Sequence, residues 1–257
     1  MLRKRKSVIG LDIGTSCIKA VEVIQDKLDY TILAYGQMDV PDEESRFDAI
    51  SELLANGGFS TKRVATAVSG KSVIFRYINM ARMSSEALRS SIHLEADKYI
   101  PFEIDEVQLC TQKLLDHVGD EDGPDEMKVL LVAAKNALVD DQAQMLVDLG
   151  LQPVSIGVDS FALGNAFELG GMMSSDPQGS DRTIALLDIG SSKSSINIVR
   201  DNITCFAREV PTGGLEITDS IIRRLGIGVD EAEALKRDPQ DQVVDVQEAV
   251  THVLDDL

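Results

Sequence analysis

One pattern occurs twice. Val8 to Val23 reads "VIGLDIGTSCIKAVEV" and Ile184 to Val199 reads "IALLDIGSSKSSINIV". In each, an apolar run breaks at Asp-Ile-Gly, passes through two hydroxyl residues and resumes: Asp12-Ile13-Gly14-Thr15-Ser16 stands against Asp188-Ile189-Gly190-Ser191-Ser192. A strand-like run that turns through glycine and resumes is a β-hairpin, and the glycine allows close approach by another group. One such hairpin is compatible with an ordinary surface turn. Two similar ones so far apart predict two related half-domains, each offering a small-residue turn to a shared cleft. A turn built of glycine and hydroxyls, with a donor-rich backbone, can cradle an anion.

At 257 residues the chain is long enough for two domains or one bilobed body. Its formal net charge of −18 argues against a protein that tracks nucleic-acid phosphates. The acid is densest from Asp116 to Glu126 and in the last twenty residues, read as solvated loops and helix faces. No run approaches the roughly 18 apolar residues that cross a bilayer, and the start, "MLRKRKS", lacks the apolar core of a signal peptide. A cytosolic location is expected, with the basic first residues read as a frayed terminus rather than a lipid contact. Cys17, Cys110 and Cys205 are odd in number and far apart, which predicts reduced thiols. His93, His117 and His252 are equally scattered, so spacing yields no zinc site and no catalytic triad.

Along the chain, Tyr30 to Val40 continues as a strand, and "SRFDAISELLANGG" places Phe47, Ile50, Leu53 and Leu54 on one helical face that Gly57-Gly58 ends. "KRVATAVSG" alternates as a strand; the following "SGKSV" is not a phosphate-binding P-loop, because position 65 is alanine where that motif needs glycine. "SSEALRSSIHLEADKYIPF" is a helix starting near Ser84 and stopping before Pro101. Strands at Glu106 to Asp116 and Met127 to Ala134, a helix at "ALVDDQAQMLVDLGL" and a strand at "PVSIGVD" complete a compact α+β unit inserted in the first lobe. "HLEAD" is not the His-Glu-x-x-His of a zinc enzyme, so His93 is read as a surface or cap residue.

"DSFALGNAFEL" carries Ala162, Gly164 and Ala166 on a helix that would connect the lobes, and "GGMMSSDPQGSD" loops to the second hairpin. That hairpin turns again at Asp201-Asn202, and Gly213-Gly214 opens a helix with free N–H donors at its start. In "GVDEAEALKRD" Glu233 and Lys236 share a face at i, i+3.

Taken together these stretches resemble the actin-like ATPase superfamily, and within it the PilM family of type IV pilus assembly, whose near relative is FtsA. The ordered set carries the resemblance: "GLDIGTSCIKAVEV", "KRVATAVSGKSVIFRYINM", "KYIPFEIDEV", "SFALGNAF", "LLDIGSSKSSINIVRDN", "REVPTGGLEITDSIIRRLG" and "EAEALKR". It implies an α/β, actin-like (ribonuclease H-like) two-lobed fold with an inserted α+β subdomain. Residues 1–78 would begin the first lobe, 79–156 the insertion, 157–181 the connector, 182–225 the second lobe, and 226–257 the start of its smaller part, cut short. The family continues beyond "VTHVLDDL", so the resemblance implies an incomplete second lobe and part of an adenine wall missing.

The same resemblance implies ATP with Mg²⁺. Gly14, Thr15 and Ser16 would hold phosphates with Lys19 reaching one of them, while Gly190, Ser191 and Ser192 clamp from the other lobe. Asp12 and Asp188 would hold Mg²⁺ mostly through water. Asp159 stands where relatives carry the Gln or Glu that positions the attacking water, so hydrolysis is at most slow. Gly213 and Gly214 would contact the nucleotide, and Glu233 and Lys236 would hold ribose and adenine, a surface ion pair being the plainer alternative. The implied partner is the N-terminal cytoplasmic tail of a PilN-like inner-membrane protein, in a groove lined by parts of "RYINMARM" and "KYIPFEIDEV". Pilus motor or platform proteins and self-association are further expectations, with a cytoplasmic site peripheral to the inner membrane. An FtsA-like division protein, a small-molecule kinase of the superfamily and a type II secretion component remain alternatives.

Overall fold

A computed structural model describes residues 6–26, 29–118, 124–169, 183–200 and 203–255. The basic start, the loop "GGMMSSDPQGSD", the Asp201-Asn202 turn and the centre of the acidic run after Asp116 lie outside the described residues.

The two repeats fold alike. β1 (Val8–Ile13), β2 (Cys17–Asp26) and β3 (Asp29–Asp39) form an antiparallel meander, and so do β9 (Thr183–Ile189), β10 (Ser194–Arg200) and β11 (Ile203–Val210). The first meander extends into a five-stranded sheet, order β3-β2-β1-β4-β8, by adding β4 (Arg63–Val68) and β8 (Gln152–Val158) parallel to β1. α1 (Arg46–Asn56) and α3 (Asn136–Asp148) cover this sheet; Ile9, Ile18, Ile50, Val64 and Leu146 are completely buried between the layers. Each such aliphatic side chain contributes roughly 1.5–3 kcal/mol by leaving water. On α1 the buried face is Ala49, Ile50 and Leu53, while Phe47 is 42% exposed. Gly36 of β3 lies beneath this face, where a Cβ would sit 2.9 Å from Leu53 Cδ1.

A separate antiparallel sheet, order β5-β7-β6, consists of β5 (Val73–Ala81), β6 (Val107–Val118) and β7 (Glu126–Lys135). α2 (Ser85–Glu95) packs on it, started by Ser84, whose Oγ accepts the Ala87 N–H at 3.1 Å. The strand pairing draws the insertion differently from the expected span of 79–156: β5 belongs to it, whereas α3 and β8 join the first sheet. The apolar side chains of "RYINMARM" and "KYIPFEIDEV" largely fill this unit's own core, among them Ile78, Ile100, Phe102 and Val107.

α4 (Asp159–Leu169) lies between the two lobes and touches β4 and β8 on one side and β10 and β11 on the other. Gly164 faces β11, where a Cβ would make an ordinary contact with Thr204 Oγ1 at 3.4 Å. Phe161 of the same helix packs edge-on against Phe75 of β5, ring centroids 5.2 Å apart. After β11 come α5 (Gly214–Leu225), α6 (Val229–Arg237) and α7 (Val243–Asp255), which bury Ile221, Ala232, Leu235, Val246 and Ala249 together. No helix among the described residues is long and apolar enough to cross a membrane.

The middle strand of each meander carries one fully buried polar side chain. Glu22 of β2 accepts the Ser60 N–H at 2.6 Å, the Ser60 hydroxyl at 2.6 Å and the Ser7 hydroxyl at 2.5 Å. Burial pushes its carboxyl pKa up, but these three donors outweigh it and hold the value below the ordinary carboxylate range. Asn197 of β10 instead donates to the Ser160 carbonyl at 2.7 Å, which ties the second meander to α4.

Candidate functional site

The two glycine-hydroxyl turns meet. Thr15 Oγ1 lies 2.8 Å from Ser192 Oγ, and Ser16 Oγ lies 2.5 Å from Ser191 Oγ, although 177 and 175 residues of chain separate the partners. Both bends need glycine: a Cβ on Gly14 would fall 2.5 Å from the Cys17 carbonyl oxygen, and one on Gly190 would fall 2.9 Å from that of Lys193. The contact therefore follows from the repeat, because each hairpin tightens at the same position and aims its hydroxyls outward.

On the first hairpin, Asp12 and Lys19 face each other in register, and Lys19 Nζ donates to Asp12 Oδ2 at 3.1 Å. Burial works to lower the Lys19 pKa; the hydrogen bond and charge of Asp12 outweigh it, helped by Cys17 and Asp188, and leave it above the ordinary lysine value. The Asp188 carboxylate of the second hairpin is thus close enough to act on Lys19 across the cleft. Among the described residues no three His, Cys, Asp or Glu side chains converge into a metal cage.

The second turn is wired into the protein. Gly190 N–H donates to the Lys193 carbonyl at 2.9 Å; Gly214 N–H donates to the Gly190 carbonyl at 2.9 Å and Leu215 N–H to that of Ser191 at 2.8 Å. Gly213 N–H goes to Glu216 Oε2 at 3.0 Å. The expected free donors at the start of α5 are therefore taken, because the second turn backs onto that helix and uses them. The packing there is close: a Cβ on Gly213 would lie 2.6 Å from the carbonyl oxygens of both Gly190 and Ser191.

Glu233 and Lys236 come to the same place. Lys236 Nζ donates to Glu233 Oε1 at 2.5 Å, to Thr218 Oγ1 at 2.8 Å and to the Gly214 carbonyl at 3.2 Å, so the pair anchors α6 on the first turn of α5. Burial raises the Glu233 pKa, but hydrogen bonds from Lys236 and Thr218 outweigh it and keep the carboxyl below its ordinary value. Asp159 joins through Lys193, whose ammonium bonds to Asp159 Oδ2 and, at 2.9 Å, to Glu209 Oε2. The other Asp159 oxygen accepts the Ser160 N–H at 2.6 Å. Burial disfavours the Lys193 ammonium, yet the two carboxylates hold its pKa above the ordinary value.

All fourteen candidate residues thus form one connected region. Sequence reasoning missed Lys193, Glu209, Glu216 and Thr218. The signal for Lys193 was a lone cation within a hydroxyl turn; the others carry no local mark.

Two three-stranded meanders meeting turn to turn, joined by a shared helix and interrupted by an inserted sheet, define an actin-like ATPase fold. The profile of the family described as "Type IV pilus assembly protein PilM" matches residues 10–250, and the chain belongs to that family. It is similar to a solved PilM-PilN type IV pilus biogenesis complex at 26% identity and TM-score 0.82, over 98% of this chain and 74% of that one. Two further structures share the fold at TM-score 0.50. One is the cytoplasmic domain of EpsL, an inner-membrane component of the type II secretion system of Vibrio cholerae, at 12% identity over 80% of this chain and 71% of that one. The other is the ethanolamine utilization protein EutJ of Carboxydothermus hydrogenoformans, at 15% identity over 98% and 69%.

Proposed function

We propose that the chain is a nucleotide-responsive scaffold of type IV pilus assembly, which holds Mg·ATP between its two glycine-hydroxyl turns and binds the cytoplasmic tail of a PilN-like inner-membrane protein. The observation that carries the reading is the meeting of Thr15 and Ser16 with Ser191 and Ser192. Four hydroxyls converge there, on hairpins of which the first also carries the charged Lys19, a donor set suited to a polyphosphate. In this reading the phosphates displace the hydroxyl-to-hydroxyl bonds, Lys19 turns from Asp12 to a phosphate, and Asp12 and Asp188 hold Mg²⁺ through water. Glu233 and Lys236 stand on the nucleoside side, beyond Gly213 and Gly214. Asp159, held by Lys193 and its own helix start, is poorly placed to activate water, so turnover is slow.

ATP then bridges the two lobes in place of the direct hydroxyl contacts, and the bridged form is what the partner reads. The tail would lie between the first lobe and the insertion, where Arg76, Asn79, Glu103 and Asp105 remain exposed. The resemblance to a PilM-PilN complex supports this partner. The protein would work in the cytoplasm against the inner membrane, with motor or platform proteins and further copies as additional partners. Fluorescent ATP titration tests the site: Asp12→Ala and Lys19→Ala each weaken binding about tenfold, the equivalent of about 1.4 kcal/mol, and unchanged affinity in both contradicts it. A synthetic PilN-like tail should be retained more strongly with Mg·ATP than without.

A further inference from the structure

β3 is the outer strand of the five-stranded sheet, so one side of its backbone has no neighbour within it. Natural edge strands are usually blunted by charge, proline or shortness. β3 is 11 residues long, and Tyr30 to Met38 contains neither a charged residue nor a proline. A bulge leaves Leu33 without a partner on β2. Around it Tyr30, Ile32, Leu33 and Tyr35 are 48%, 62%, 50% and 80% exposed. Beside this edge α1 ends at Gly57 and Gly58, which carry no side chains, and a groove of about 510 Å³ opens between them and residues Ile32 to Tyr35. A free backbone edge and an apolar trough thus run side by side. Strand addition needs both: the edge supplies main-chain hydrogen bonds and the trough receives alternate side chains.

Charge selects the occupant. Asp29 and Asp39 bracket the strand, and exposed Asp42 and Glu44 follow it, with Glu43 between them paired to Arg46 at 3.4 Å. A second copy paired antiparallel about Ala34 would set Asp29 against Asp39 at both ends, and a parallel one would set each against itself; like charges directly opposed destabilise a pair. We infer that the β3 edge docks an extended apolar peptide strand that carries lysine or arginine at its ends. This site lies apart from the nucleotide cleft and does not depend on it.

The test uses the full chain and a synthetic peptide of alternating valine and threonine with lysines at both ends. The same peptide with glutamates at its ends, and one with a central proline, are the comparisons. The lysine peptide should bind and protect the β3 amides from hydrogen exchange. The glutamate peptide should bind about tenfold more weakly or worse, and the proline peptide should not bind. Tyr35→Lys, checked for folding by circular dichroism, should lose the lysine peptide, whereas Asp12→Ala should keep it even if nucleotide binding is gone. Equal binding of lysine and glutamate peptides, or protection elsewhere, overturns the proposal. So does a concentration-dependent dimer that Tyr35→Lys abolishes in a chain that ignores the peptides, which would give the edge to a second copy.

Discussion

The two hairpins share a motif but not their surroundings. On the first, the cation is Lys19, paired with Asp12, and both side chains are about three-fifths exposed: 60% and 62%. On the second, no lysine faces the aspartate; Ser195 stands opposite Asp188. The cation there is Lys193, 30% exposed and shared between Asp159 and Glu209. The first turn leaves its charge where a ligand can take it over. The second spends its charge, and the first N–H groups of α5, on fastening α4, β11 and α5 to one another. Similar turns therefore set their cations in two different environments, one exposed and one enclosed by carboxylates, and the neighbours decide which.

The largest effect should come from the fastening itself. Gly213→Ala places a methyl against two backbone carbonyls that cannot rotate away, and denaturant unfolding should show a loss of about 2–4 kcal/mol. Gly214→Ala, whose Cβ would lie 3.5 Å from Lys236 Nζ and 3.7 Å from the Gly190 carbonyl oxygen, both ordinary contacts, should stay within about 0.5 kcal/mol. Equal losses would mean that the second turn is not locked to α5.

Next come the two lysines. Lys193→Met leaves two half-buried carboxylates facing each other and should cost about 1–2 kcal/mol, whereas Lys19→Met removes an exposed pair worth about 0.5 kcal/mol or less. Because the folded pKa of Lys193 is raised, its contribution is complete below the unfolded lysine pKa and fades as pH climbs through the folded value. The gap between the two variants should accordingly narrow at high pH in thermal melts. Equal stability of the two variants at neutral pH breaks the comparison.

The smallest effect separates the two buried anchors. Glu22→Gln should cost about 1 kcal/mol at neutral pH, while Asn197 carries no titrating group. The Glu22 carboxyl pKa is depressed, so its stabilisation holds above the unfolded carboxylate pKa and disappears as pH falls through the folded one. The variant should approach the parent stability in acid, and a constant difference across that range would contradict the assignment.

Much of this was legible from local pattern. The doubled Asp-Ile-Gly turn announced both meanders, and strand-like alternation located nearly every strand. What depended on distant contacts was not legible. Nothing within "PVSIGVD" says that β8 joins β4 rather than the insertion, because both choices bury a similar strand. The face of α1 was misjudged at Phe47, because helical spacing alone does not say which of the apolar residues the sheet covers. The donors at the start of α5 looked free because the acceptors of Gly214 and Leu215, the Gly190 and Ser191 carbonyls, lie more than twenty residues earlier in the chain. Lys193 escaped notice for a related reason: its partners, Asp159 and Glu209, come from two separate elements, α4 and β11.

The central claim is that both turns grip one polyphosphate. Amide hydrogen exchange of the full chain, with and without Mg·ATP, addresses it directly. Slowed exchange should appear at Gly14 to Ser16 and at Ser191 to Lys193 together, and in Lys19→Ala should need about tenfold more ATP at both. Protection confined to one turn, or to neither while ATP is bound, would contradict the account.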